Sequence, residues 1–393
     1  MPTLAELVTK FSHAHGASGF EDNVRALVVR EMKKYADDVQ ITPLGSVIGI
    51  QRARSKRGTE NPRLLVEAHM DEIGLLVTGI EEGFIRFNEI GHFDPRVLPS
   101  QNVLVHGRKT LAGVIGARPP HVLTAAERQK SIPMRDLFID VGMDDARVRE
   151  LVSVGDFITL DRNVVSLQNN FVAGKAMDDR SSLVAVLEFL RQLQNAKHAW
   201  DVYAVANVNE EDSSVYVGAL TSTFAIRPHL ALCLDVTHAQ QPGLHEEYAP
   251  KTGQGPCIAR GANVHPFVFE KLRAAATQAK LAHQITVYGD NTETNAWLMQ
   301  LVGEGVPTGL VEIPLRYMHT SVETIHLDDV ANAAELLRAF ATSLTLEDAD
   351  ALQGEKFVRA AHSSKPRIGK KRAPSKSKPR ATNHRRKPRS RRR

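Results

Sequence analysis

Cysteine is scarce in this 393-residue sequence. There are two, too few for a disulfide scaffold, and such usage fits a reducing, cytoplasmic setting. Cys233 lies in the apolar run Ala231–Leu234 and reads as a small buried hydrophobe, while Cys257 stands alone after Pro256. Long hydrophobic runs are missing as well. No stretch of ~18 uncharged apolar residues exists, so no membrane span is expected. The opening MPTLAELVTKF lacks a basic region followed by an apolar block and does not read as a secretory signal. Aromatic residues make up only 6%. No internal repeat is visible. What is present, 42% hydrophobic and 24% charged residues, excludes wholesale disorder and gives ample material for a large core.

The net charge of +5 hides two unlike parts. Residues 363–393 carry 15 of the 50 Lys+Arg and no acid, leaving 35 basic against 45 acidic residues and a charge of −10 in the body. The tail SSKPRIGKKRAPSKSKPRATNHRRKPRSRRR has almost nothing apolar to offset its ordering entropy, so a disordered basic tail is expected. Such charge attracts nucleic acid or another polyanion through counterion release. Without an aromatic residue it offers no base stacking, so sequence-specific reading is not expected. A solvated extension with no fixed partner is the plain alternative.

Apolar periodicity predicts mostly helix from Leu4 to Tyr35, then strands at Val47–Ile50 and Arg63–Ala68. From Leu75 to Leu167 short β-like runs alternate with Gly and Pro, at 83–88, 102–106, 111–115, 137–141 and 156–160. That texture predicts an inserted small β-rich barrel or sandwich. Beyond Gly174, helices at 179–195, 217–222, 266–280, 294–301 and 328–344 alternate with strands at 201–208, 229–235, 284–287 and 307–314. Alternation of this kind predicts an α/β fold: an open mixed sheet with helices on both faces. The expected organisation is residues 1–74 and 168–350 for the α/β body, 75–167 for the β-rich insertion, and 351–393 for a linker and the tail.

Several apolar strands release an acid or a histidine at the end. His69-Met70-Asp71 follows the strand at 63–68, and alternate residues of an extended chain share a side, so Asp71 can orient or polarise His69. Asp178-Asp179 precede a helix; capping explains one aspartate and leaves the other for a different task. Glu210-Glu211 follow the strand at 201–208, where adjacent like charges need a partner. Asp235 ends the run Leu230–Leu234, and His319 follows Ile313–Met318. Each alone has an ordinary reading as cap, turn or satisfied polar group. Together they lie where open α/β sheets bind ligands. Two His, two Asp and one Glu suit a pair of divalent ions, and nitrogen and oxygen donors without thiolate point to zinc, cobalt or manganese. A pair of such ions activates water and stabilises a tetrahedral intermediate.

Five segments occur in a fixed order: Gly16-Ala17-Ser18-Gly19-Phe20-Glu21, Ala68-His69-Met70-Asp71-Glu72-Ile73-Gly74, Gly174-Lys175-Ala176-Met177-Asp178-Asp179-Arg180, Asn209-Glu210-Glu211 and Arg316-Tyr317-Met318-His319. In that order they resemble the M42 family of metallo-aminopeptidases, the tetrahedral aminopeptidase group, over about residues 3–345. Gly113–Gly116 and Phe138–Gly142 extend the likeness into the insertion. The resemblance implies a zinc-peptidase-like fold and two metal ions per subunit. It implies that His69 and Asp235 hold one ion, Glu211 and His319 the other, and that Asp178 bridges them. Glu210 would be the general base on a metal-bridging water, and Asp71 would support His69. It also implies peptide substrates and a homo-oligomer, dimer to dodecamer, built through the insertion.

Two segments depart from the family pattern: Asn291-Thr292-Glu293-Thr294, where a Gly-Thr-Asp-Ala-like stretch is usual, and Asp212–Gly218, where a glycine-rich turn is usual. Both are expected to reshape the substrate pocket. Two other readings stand beside the peptidase. One is an endoglucanase-like glycoside hydrolase using Glu210 and a second carboxylate. It leaves the ordered histidines without a task and has few aromatics for a sugar site. The other is a polyanion-binding assembly protein acting through the tail.

Overall fold

The computed structural model describes residues 2–53, 60–212, 215–244 and 249–352. The basic tail therefore lies outside the described residues. The N-terminal helical stretch is two helices, α1 (Leu4–His13) and α2 (Asp22–Met32). Thr3 and Glu6 close a capping box on α1, each side chain taking the other's backbone N–H. The chain between them, residues 14–21, leaves the helix to reach the site.

Strands β1 (Asp38–Ile41), β2 (Val47–Gln51) and β3 (Arg63–His69) start the main sheet. Strands β4 (Gly74–Glu81), β5 (Phe84–Ile90), β6 (Asn102–His106), β7 (Thr110–Gly116), β8 (Phe138–Asp140) and β9 (Phe157–Leu160) close into a barrel in the order β4-β5-β8-β7-β6-β9. One short helix, α3 (Asp145–Leu151), packs on it. The β-rich insertion expected from the sequence is this barrel. Alternate residues fill it, among them Leu75, Val77, Ile85, Phe87, Val103 and Val105, all buried.

The body resumes with β10 (Val165–Ser166) and β11 (Phe171–Gly174), which later pair with β17 (Glu323–His326) in a small three-stranded sheet. Helix α4 (Met177–Leu193), strand β12 (Asp201–Asn207), helix α5 (Val217–Ile226) and strand β13 (Leu230–His238) follow. Then come β14 (Cys257–Gly261), α6 (Pro266–Gln278), β15 (Gln284–Tyr288), α7 (Asn295–Met299), β16 (Thr308–Leu315), α8 (Leu327–Ser343) and α9 (Leu346–Leu352). The main sheet runs β1-β2-β12-β3-β13-β16-β14-β15. Its four central strands, β12, β3, β13 and β16, are parallel, and β1, β2 and the β16–β14 pair add antiparallel edges. Every residue of β16 and nearly all of β3 and β13 are buried, which is why these strands read as continuous apolar runs. Helix α4, with α1, α2 and α8 beside it, lies on the sheet, and α5 and α7 pack together over the other side of β3, β12, β13 and β16.

The sequence pattern missed β1, β4, β14 and the small three-stranded sheet. Of these, β1 is a largely exposed edge strand, so no apolar alternation marks it. No helix among the described residues is long and apolar enough to cross a membrane.

Candidate metal and active site

Parallel central strands bring their carboxyl ends to one side of the sheet, and the site sits there. His69 is the last residue of β3. Glu210 and Glu211 lie just past β12. Asp235 is on β13, and His319 follows β16. Asp178 and Asp179 come in from the first turn of α4. All five ligands that the resemblance implied, with Glu210 and Asp71, thus share one region.

The Asp178 carboxylate stands between the two imidazoles. Its Oδ1 is 3.2 Å from His69 Nε2, and its Oδ2 is 3.5 Å from His319 Nε2. His319 Nε2 is also 3.4 Å from Glu211, and His69 Nε2 is 3.8 Å from Glu210. Candidate donor atoms of His69, Asp178 and Glu211 lie within 4.8 Å of one another, and so do those of His69, Asp179 and Asp235. Asp179 is the addition the sequence pattern did not place. Its signal was there in the doubled aspartate. Both of its oxygens are buried and make no well-formed hydrogen bond among the described residues; the nearby Ser182 hydroxyl donates to the carbonyl of Asp235 at 3.1 Å.

The electrostatics call for positive charge. Burial raises the carboxyls of Asp179, Glu210, Glu211 and Asp235 well above the usual range, and neighbouring carboxylates push the same way. Burial also disfavours the charged imidazoles of His69 and His319. The surrounding carboxylates outweigh it and hold both rings up, His319 at about 10. Asp178 is likewise disfavoured as an anion by burial, but the two histidines hold it low. Packed acids, orphaned buried oxygens and imidazole nitrogens are a donor set that divalent cations relieve.

Supports reach in from four segments. His69 Nδ1 faces Asp71 Oδ1 at 3.3 Å, so Asp71 stands behind His69. The Ser18 hydroxyl donates to Asp71, which ties the Gly16–Glu21 segment to the site. Glu21 accepts from the N–H of Gly19 at 2.9 Å and of Asn209 at 3.2 Å. His319 Nδ1 meets the His92 carbonyl at 2.8 Å, a contact from the loop beyond β5. Glu323, buried on β17, accepts the backbone N–H of both Asp178 (3.1 Å) and His319 (2.9 Å). Ala176, Asn209 and His319 hold positive φ values of 55°, 54° and 60°, each costing on the order of 1 kcal/mol or more, and all three lie at the cluster. The peptide bond Asp178–Asp179 is cis. Gly218, at the start of α5, allows the helix to press on β12's end: a Cβ there would lie 2.2 Å from the Val208 carbonyl oxygen.

A cavity of about 760 Å³ opens beside the cluster. Both departing segments line it, Asn291–Thr294 as a whole and Tyr216 from the turn before α5.

A family model for M42 glutamyl aminopeptidase matches residues 45–336. The chain belongs to the M42 aminopeptidase family. It is a peptidase. The lysyl aminopeptidase of Pyrococcus furiosus is 34% identical over 348 residues, covering 86% of this M42 chain and 97% of the relative. Among solved structures, an aminopeptidase from the archaeon Desulfurococcus kamchatkensis has a TM-score of 0.82 at 36% identity, covering 89% of this chain and 98% of its own. The TET1 peptidase of Pyrococcus horikoshii, described as assembling into a tetrahedron or a large octahedral shell, has a TM-score of 0.76 at 30% identity, covering 87% and 100%. This M42 member thus shares both the α/β body and the barrel with full-length relatives.

Proposed function

We propose that this M42 peptidase is a dinuclear metal-dependent aminopeptidase that removes N-terminal residues from peptides. The observation that carries the reading is the Asp178 carboxylate, one oxygen toward His69 and the other toward His319. On this reading His69 and Asp235 would hold one ion and Glu211 and His319 the other, with Asp178 shared between them and Asp179 lending its charge to the first position. When bound, the ions acidify water and polarise the scissile carbonyl. Zinc or cobalt fits the mixed imidazole and carboxylate donors, and manganese is a further candidate.

Glu210 is the general base. Its carboxyl is held above the usual range by burial and by the neighbouring acids, which makes it a better proton acceptor than an exposed glutamate. It takes the proton of the attacking water and passes it to the leaving amine. Asp71 holds the His69 ring in orientation. Chelator-reversible hydrolysis of aminoacyl anilides tests the reading: activity that is absent, or that survives full metal removal, overturns it. No contact favours the endoglucanase-like reading, because every histidine in the cluster faces a carboxylate.

Assembly into a homo-oligomer through the inserted barrel, whose strands run from Gly74 to Leu160, is part of the same proposal. The TET1 shell of the relative supports it. The two free, buried cysteines fit a cytoplasmic setting. The tail is proposed to add a salt-sensitive contact with polyanions, nucleic acid included, which removal of residues 363–393 should abolish.

A further inference from the structure

The cavity beside the metal cluster continues past Asp235 toward β16. Asp235 and Glu312 are register partners on the parallel pair β13–β16. Paired residues on parallel neighbours project to the same side, one strand spacing of ~4.8 Å apart. Both line the cavity. Glu312 is 1% exposed, and its partners among the described residues are hydroxyls: Thr286 Oγ1 and Tyr288 Oη donate to it, and Thr237 stands against it. A carboxylate accepts about four hydrogen bonds, so these hydroxyls do not use its full capacity. Glu293 adds a second acid at the exposed rim, and no Lys or Arg is among the described lining residues. The walls are Trp297, Leu298 and Met318, with Trp297 36% exposed.

We propose that Glu312 is the specificity-determining residue of this cavity, and that it selects peptides whose N-terminal side chain is a cation on an aliphatic stem, lysine or arginine. The inference rests on the aminopeptidase reading above. A scissile bond held at the cluster places the N-terminal side chain in the cavity beside Asp235. The methylene stem lies along Trp297 and Leu298, and the charged head reaches Glu312. A glutamyl side chain meets two carboxylates and is repelled.

The test compares lysyl, arginyl, norleucyl and glutamyl p-nitroanilides on the metal-loaded full chain and on Glu312→Gln. Norleucine keeps the lysine stem and lacks the ammonium. The expected wild-type kcat/KM for lysyl and arginyl substrates exceeds that for norleucyl by about tenfold or more, with glutamyl slowest, as for a charge-assisted hydrogen bond in a buried site. Glu312→Gln is expected to shrink the lysyl-to-norleucyl ratio by about tenfold. A wild type that cleaves norleucyl as fast as lysyl, or prefers glutamyl, overturns the proposal; so does a variant that slows every substrate alike. Should the variant not fold, competitive inhibition of the wild type by lysinamide against norleucinamide decides, and equal inhibition constants overturn it. If no anilide is hydrolysed with metal present, the aminopeptidase reading falls and this inference with it. Chelator-sensitive norleucyl cleavage without a lysyl preference sinks this inference alone.

Discussion

The Asp71 carboxylate receives the backbone N–H of Glu210 on both oxygens, at 3.2 and 3.0 Å, while its Oδ1 stands 3.3 Å from His69 Nδ1. The same carboxylate also takes the Glu211 N–H at 2.9 Å and the Ser18 hydroxyl. One side chain thus orients a proposed ligand and fixes the backbone that carries the proposed base. Asp71→Asn retains the shape but loses the charge and the second full acceptor. We expect metal affinity to fall by about 10–100-fold, measured by competition with a chromogenic chelator. Unchanged affinity would show that Asp71 only packs.

Glu210→Gln separates base from ligand. Removing a positioned proton acceptor is expected to lower turnover by roughly 10²–10⁴-fold. Metal content, read by mass spectrometry of the purified protein, should stay at the wild-type level. A variant with near-normal turnover would reassign the base.

Metal removal should destabilise as well as inactivate. Five carboxylates, those of Asp178, Asp179, Glu210, Glu211 and Asp235, are packed in a buried cluster around the imidazoles of His69 and His319. A ligand that binds only the folded state stabilises it by about 2.7 kcal/mol at a hundred times its Kd. Calorimetry with and without chelator should therefore show a lower Tm for the chelated protein, restored by adding zinc or cobalt. Equal melting would count against a resident metal.

His15 supplies a pH prediction at the junction of body and barrel. Its Nδ1 is 2.8 Å from Thr159 Oγ1, which also lies 2.9 Å from His106 Nε2. Burial above all, helped by Lys175 and His106 and opposed by Glu72 and Asp161, lowers His15 to about 4. The unfolded chain binds this proton near 6.5, so between about 4 and 6.5 the unfolded state holds more protons. The stabilising contribution of neutral His15 is thus full above 6.5 and lost as pH falls toward 4. Denaturant midpoints for wild type and His15→Gln, compared at pH 7 and pH 5, should differ less at pH 5. A constant difference would show that the ring's ionisation is not linked to folding.

Much of the fold was legible in residue order. Val47–Ile50, Arg63–Ala68 and Leu230–Leu234 announced buried strands because both faces of those strands are covered. The switch to short runs split by glycine marked the barrel. The helical reading of 4–35 overran the break at 14–21, since Gly16, Ser18 and Glu21 serve the site there rather than a helix. Lys175 and Arg180 belonged to a recognised segment without a visible task. In the fold Lys175 pairs with buried Glu72 at 2.7 Å, and Arg180 donates to the carbonyls of Phe11 and Ala14.

Residue order by itself determined which side chains end the apolar strands, because burial on both faces writes a continuous hydrophobic run and a polar residue marks its exit. It determined the family through five ordered segments. Only the tertiary structure decided that Asp178 stands between His69 and His319, that Asp179 joins His69 and Asp235, and that Glu312 lies beside Asp235. Those relations depend on strand order and register between segments far apart in the chain, and pairing across such distances leaves no local periodicity to read.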